Sequence, residues 1–501
     1  MLMDFKHITL ILIFASFSCS SSAQFFVKQG SSITIKEGSS LYIGTTLTLG
    51  SDWTGSGYLA DQTIDGDVSI TGNVTVKRYI RGNGWHNVSK PVATANTSLF
   101  ATTDLVFYYD ETKIYNDWNF GWVWYDGNLS TMKGYDVYLD ANDITVNYTA
   151  SNSTGLNTGS YNIGVTLTNV ANGEIESHKG WNLVGNPYPS PLDWLEETAW
   201  DKSDINDAKY IWFPTNDNYT IYLGGPAPIG INGGTQYIPS NQGFWVQAIT
   251  NGTISVNNGA RKGVISPTPD FYKNSNFSYP LISLITSSDS LSDETIIRFL
   301  ESTSSSFDVN YDASKLYSSS QIIPQISTSS NNSEFSINTY AEIIDGMEVP
   351  LNFSCKTAGA YCIELDEKSN INSINSIYLF DRLEKNIMNL SFEKKYCFEH
   401  LPFNAKQRFT VIINPSENKL ASLKIESPFL VYSFNKTISI TNLSGENTST
   451  SVELINLLGQ RIYSKSFNEQ KIYFNVNVKS GYYIVRIIST EGQFNNKVIL
   501  Q

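Results

Sequence analysis

SSITIKEGSSLYIGTTLTL, residues 31–49, is the stretch whose reading decides the fold. Apolar and polar residues alternate at period two between glycine turns, the pattern of half-buried strands. Ile33 and Ile35 fall on one strand face. DGDVSITGNVTVKRYI, residues 65–80, repeats the pattern after an Asp-Gly turn and puts Val74 and Val76 on another such face. Residues 24–80 are therefore expected to form either a strand-rich sheet or a few coils of a β-solenoid. Period-two alternation fits both equally.

Composition extends this reading to the whole chain. Charged residues make up 16% and aromatic residues 13% of 501 residues, with 29 tyrosines and 10 tryptophans. Such a mixture favours strands and turns over helices, so the expected fold class is all-β. The length calls for several domains. Residues 81–264 read as an aromatic-rich β domain, ISPTPDFYKNSN (265–276) as a linker, and 277–414 as a second β domain. NPSENKLA (414–421) is the next break, and β-sandwich-like packing is expected throughout. Within 81–264, LDWLEETAWDKSD is the one helix candidate, with Leu192, Leu195 and Ala199 near one face. GWNLVGNPYPSPLDW (180–194) reads as a strand ending in a rigid proline corner before that helix. It faintly echoes GWHNVSKPV (84–92), as if marking corresponding strands of two related sheets.

The first residues read as a targeting segment. Lys6 and His7 precede the apolar run Ile8–Phe17, and small residues lead to Ala23, after which cleavage is expected. A rival reading lipidates Cys19, but Phe17 and Ser18 make a poor lipoprotein signal. The run is too short for a bilayer, which needs about 20 apolar residues. No later segment reads as a transmembrane span. The formal net charge of −13 argues against nucleic acid as a partner, because phosphate binding needs a basic face.

The last eighty or so residues read as a compact unit of six short strands, a small Ig-like β-sandwich. VELINLLGQRIYSKSF, KSGYYIVRI and the terminal NNKVIL carry a joint pattern: Gly459 and Gln460, then Gly481, Tyr483 and Val485, then Lys497. On these residues the unit, 425–501, resembles the type A C-terminal sorting domain of the type IX secretion system. The resemblance implies Sec export, passage through the outer membrane by the type IX machinery, and a secreted or cell-surface destination. It also implies removal of the domain and attachment of the remainder to surface lipopolysaccharide. GWNLVGNPYPSPLDW, NQGFWVQA (241–248) and FDVNYDASKL (307–316) look like uncharacterised β-rich regions of such exported proteins.

Chemistry is harder to find. Three cysteines follow the targeting segment, and Cys355 and Cys362 flank KTAGAY, a loop that would set them across a hairpin as a disulfide. His86, His178 and His400 sit in no nucleophile or zinc signature, and no cofactor or metal is expected. Asp65 with Asp67, Asp140 with Asp143, and Asp308 with Asp312 are candidate acid pairs, with turn-forming aspartate as the plainer reading. Asp289-Ser290-Leu291 fits a short O-glycosylation context. The strongest functional feature is aromatic: NDWNFGWVWYDG (116–127) puts Trp122 and Trp124 on one strand face with Trp118 just before. Exposed tryptophans stack on sugar rings, whereas buried ones would pack on a second sheet. The expectation is a non-enzymatic surface protein for adhesion or binding, with a glycan or extracellular matrix ligand. The alternative is a secreted carbohydrate-active hydrolase using a carboxylate pair.

Overall fold

The computed structural model describes residues 24–500 except 65, 101–104, 114–120, 141, 169–178, 264–276, 289–290, 302, 305, 425–428, 435, 443–449 and 490–491. Cys19, Ala23, Asp65, Trp118, His178, the 265–276 linker and Asp289-Ser290 lie outside the described residues. The chain is all-β, and its only described α-helices are Leu390–Glu393 and Glu417–Lys424, the latter where the break at 414–421 was expected. It divides into two compact units, Met1–Tyr272 with Val309–Ala313, and Lys273–Asp308 with Ser314–Gln501.

The first unit opens with β1 (Gln24–Val27), β2 (Ser32–Ile35), β3 (Leu41–Ile43) and β4 (Thr46–Leu49). A short hairpin, β5 (Ser51–Asp52) and β6 (Gly55–Ser56), leads to β7 (Tyr58–Asp61), β8 (Val68–Ile70) and β9 (Val74–Ile80). β1, β4 and β9 stack in parallel, as do β2 on β7 and β3 on β8. That is a short β-solenoid rather than a flat sheet. Its register builds apolar ladders, Phe25–Leu47–Val74 and Val27–Leu49–Val76, across the coils. Each buried leucine there contributes about 1.5–3 kcal/mol. Coil-to-coil contact requires glycine at the corners: a Cβ at Gly57 would lie 2.4 Å from the Val27 carbonyl oxygen.

Residue 80 is not a boundary. β14 (Ile144–Ala150) pairs with β9 over its full length, and one core runs from Val27 to Leu156. The other wall of that core is an antiparallel sheet of β10 (Gly84–Val88), β11 (Leu105–Tyr109), β12 (Trp122–Trp124) and β13 (Tyr135–Leu139), in the order β10-β13-β11-β12. A second core lies around a sheet ordered Trp181–Gly185, Gly243–Ala248, Ile205–Phe213, Asn218–Leu223, Ile229–Ile231. The two Gly-Trp echoes are edge strands of these two different sheets, and they meet: Ser89 Oγ donates to the Asn186 carbonyl at 2.6 Å.

The proline corner is a structural staple. Asn186, fully buried, donates to the Ser190 and Pro239 carbonyls at 2.9 and 2.8 Å and accepts from the Tyr188 N–H. The helix expected after it does not form. Leu192–Asp193 pairs with Tyr237–Ile238, and only a 3-10 turn, Glu197–Ala199, follows. The indoles decide this, with Trp194 donating to the Asp207 carbonyl and Trp200 to that of Asp193.

The second unit contains one long sheet ordered Asn386–Asn389, Ile377–Asp381, Phe409–Ile413, Met347–Ser354, Gln325–Ser330, Ser333–Tyr340, Leu291–Phe299, Leu281–Ser288, Gly359–Leu365, Lys395–His400. The expected Cys355–Cys362 bridge is wrong. Cys362 is bonded to Cys397, its direct cross-strand partner, and Cys355 is a buried free thiol beside the Tyr361 hydroxyl. The physical reason is topological. Met347–Ser354 and Gly359–Leu365 are not hydrogen-bonded neighbours in the sheet, so KTAGAY joins strands that pack through their side chains instead of closing a hairpin.

Residues 429–500 form a sandwich of two sheets, Phe429–Phe434, Thr437–Asn442, Lys471–Asn475 and, facing it, Arg461–Phe467, Thr450–Asn456, Gly481–Ser489, Gly492–Leu500. Arg461–Phe467 is a strand beyond the six expected. Ile438, Val452, Leu454, Val485 and Ile487 fill the space between the sheets.

Candidate functional site

The β10-β13-β11-β12 sheet has two unlike faces. Val88, Val106, Tyr135 and Val137 point into the core. Alternation sends Trp85, Leu105, Phe107, Tyr109, Trp122, Trp124, Asp136 and Tyr138 to the other side, where register aligns Trp124 with Phe107 and Leu105 with Tyr138.

Part of this outer face is covered. Trp122 packs edge-on against Tyr109 and Trp245, with ring centroids 5.3 and 5.5 Å away. Beside them Asn87 accepts from the Trp245 indole and donates to Asp136 at 2.8 Å. The rest is open: Trp124 is 61% exposed, Leu105 44% and Trp85 37%. The Trp85 ring lies 5.7 Å from Phe107 and 5.2 Å from Tyr138, giving a contiguous aromatic strip. The Trp212 indole donates to the Trp85 carbonyl and fixes that edge strand. Of the expected tryptophans, then, Trp124 is on the open strip and Trp122 is packing. Trp85, Phe107 and Tyr138 complete the strip from strands far apart in sequence.

Asp136 sits at the covered margin of this face, where burial pushes its carboxyl up to about 7 and the Asn87 amide only partly opposes the rise. The unfolded chain releases this proton near 3.8. Between those values the folded state holds more protons than the unfolded, so stability falls as pH rises through that window. Asp136→Asn is therefore expected to stabilise the protein at pH 8, by up to about 4 kcal/mol, and to have little effect at pH 4. Thermal melts of both proteins at the two pH values measure this. Equal shifts at both would show that Asp136 is ionised throughout.

The other candidates have structural duties. Asp143 caps the turn at Gly82 and accepts from Tyr79, while Asp140 holds the Asn83 N–H through its backbone carbonyl. Asp312 is buried, its carbonyl accepting from Asn206. The His400 imidazole Nε2 bonds the Cys355 carbonyl at 3.0 Å. Among the described residues, no three His, Cys, Asp or Glu side chains could together hold a metal ion. No described helix is long and apolar enough to cross a membrane.

In the C-terminal sandwich Gly459 takes a left-handed φ of 82° at a hairpin tip, where Asn456 and Gln460 bond each other. Tyr483 and Val485 are core, the Tyr483 hydroxyl donating to the Lys479 carbonyl. Gly481 opens the strand paired with the last one, opposite Leu500. Lys497 lies on the outer face, its ammonium 4.0 Å from the Tyr482 ring centre. The motif residues thus divide between turn, core and surface.

Comparison with known proteins adds the identity of both parts. No curated protein matches the chain. Residues 414–501 match the secretion system C-terminal sorting domain, so the protein is exported by the type IX route to the cell surface or the medium. Residues 11–413, most of its length, match a second family, and the chain belongs to it: the family described as a domain of unknown function, DUF8693.

Proposed function

We propose that the exported protein is a ligand-binding or adhesion module whose site is the aromatic strip of Trp85, Leu105, Phe107, Trp124 and Tyr138. One observation supports this: large rings stay open on the face of a sheet whose other face packs into the core. Flat apolar rings flanked by polar groups suit the C–H faces of pyranose sugars, so a surface glycan is the favoured ligand. In the same reading residues 1–23 are removed after Ala23 and the sorting domain is removed at the surface. Intact mass of the surface form should then end before Gln501; a mature chain still ending there would defeat that part of the proposal.

The ligand is sought by screening the secreted protein against glycans and matrix proteins. Binding by stacking should persist when salt is raised from about 0.05 to 0.5 M, since rings carry no net charge to screen. A ligand lost in salt, or no glycan at all, would overturn the glycan assignment.

A further inference from the structure

Outside the aromatic strip, FDVNYDASKL (307–316) carries a lysine in an unusual place. Lys315 follows the two-residue strand Ala313–Ser314, and its N–H donates to the Glu334 carbonyl at 2.8 Å. Its side chain reaches the Asp293 carboxylate on Leu291–Phe299, the two residues being 22 apart in sequence. Both side chains are 0% exposed. Among the described residues no other lysine–carboxylate pair is wholly out of water: Lys202–Asp207 keeps 14 and 15% exposure, and Lys368–Glu294 27 and 8%.

An ammonium brings three donors, and away from solvent each needs an acceptor. Lys209, also buried, reaches two carbonyls, those of Thr235 and Tyr237. For Lys315 the Asp293 Oδ2 is the one acceptor among the described residues, with the Tyr317 ring centre 5.6 Å away. Asp293 Oδ2 also accepts from the Ile326 N–H at 2.8 Å. Holding two ions in such a place carries a large desolvation penalty, which a neutral linkage removes. The amine touches the carboxyl group directly, and a backbone N–H is aimed at the same oxygen. A held nucleophile, a polarised carboxyl and burial are what acyl transfer requires.

We propose that Lys315 and Asp293 condense to an intramolecular amide, a covalent clamp between the 307–316 segment and the strand Leu291–Phe299. The ammonium passes one proton to the carboxylate, giving amine and acid. The Nζ lone pair attacks Cγ and forms the C–N bond, while the Ile326 N–H holds the charge that develops on Oδ2. The Cγ–Oδ1 bond breaks, and Oδ1 leaves as water with that first proton and a second from Nζ. Nothing is oxidised or reduced, and no co-reactant is required. The product keeps Oδ2 as acceptor for Ile326 and has a single N–H in place of the three donors. The inference does not depend on the aromatic strip.

The test is tryptic mapping of the reduced, denatured full chain by mass spectrometry. Trypsin cuts after Arg298, between the two residues, so the clamp survives as a branched peptide containing Asp293 and Lys315. Its mass should be one water below the sum of its halves, with no cut at Lys315. Lys315→Arg, which has no amine to acylate, should give two separate peptides of full mass. Melting distinguishes the clamp from an ordinary ion pair. Replacing both members of a buried ion pair with uncharged residues leaves stability unchanged or raises it. Asp293→Asn combined with Lys315→Met should instead lower the melting temperature by several degrees, because an open loop replaces a closed one. Separate peptides of full mass in the wild type, a water loss that persists in Lys315→Arg, or a double variant that melts at or above the wild type would each overturn the proposal. The mapping needs only the wild-type protein, so it decides even where a variant fails to fold.

Discussion

Removing residues 425–501 should leave the protein inside the cell envelope, with surface-exposed and secreted chain falling at least about tenfold and a periplasmic pool appearing. The sandwich explains why the deletion should be clean. Its core of Ile438, Val452, Leu454, Val485 and Ile487 is its own, and Phe429–Leu500 is complete without strands from the long sheet. Surface proteolysis of intact cells, followed by fractionation, measures the effect. Undiminished display of the shortened chain would mean that the export signal lies elsewhere.

The second large effect concerns stability. Asp381 and Arg408 are a buried bidentate pair, with Arg408 Nε and Nη2 donating at 2.9 and 2.6 Å. Tyr396, on the strand at the far end of the sheet path, donates to the same carboxylate at 2.9 Å. Arg408 also donates to the Glu399 carbonyl and lies over the Phe398 and Phe409 rings. One carboxylate thus ties the second strand of the path to the last. Asp381→Asn leaves the buried guanidinium with only the exposed Glu384 carboxylate, 3.7 Å away, as counter-charge and should cost about 3 kcal/mol. For a unit of this size that lowers the melting temperature by roughly 10 °C. Adding Arg408→Met should return part of the loss, because it removes the stranded charge. A loss in Asp381→Asn below about 1 kcal/mol would show the pair to be solvated.

How much of this could be read from the chain depends on the range of the interaction concerned. Period-two alternation, visible at Leu47 and Leu49 or Val74 and Val76, is local, and all-β followed from it. Whether those residues stack in coils is a matter of register between strands some 25 residues apart, about which alternation is silent. The turn at Gly459 and the core places of Tyr483 and Val485 were legible because hairpin pairing is short-range. Cys362 was misread because its partner, Cys397, is 35 residues away, while Cys355 is nearer in sequence but not across a strand pair. Leu192, Leu195 and Ala199 have helical spacing, yet indole hydrogen bonds and pairing with Tyr237–Ile238 outweigh that preference. The aromatic strip was half visible: Trp124 belongs to a tryptophan-rich run, whereas Trp85, Phe107 and Tyr138 are ordinary aromatics until the sheet order sets them side by side.

Trp53 supplies the control that decides whether exposure or placement matters. It is 80% exposed in the turn between β5 and β6, more than any residue of the strip, and does not belong to it. The dissociation constant for the glycan found in the screen should rise about tenfold or more in Trp124→Ala and in Trp85→Ala, given roughly 1–3 kcal/mol per stacked ring. It should stay unchanged in Trp53→Ala, with all three variants keeping the wild-type near-ultraviolet circular dichroism of a packed core. Unchanged affinity in both strip variants, or an equal loss in Trp53→Ala, would contradict the assignment of ligand binding to this face.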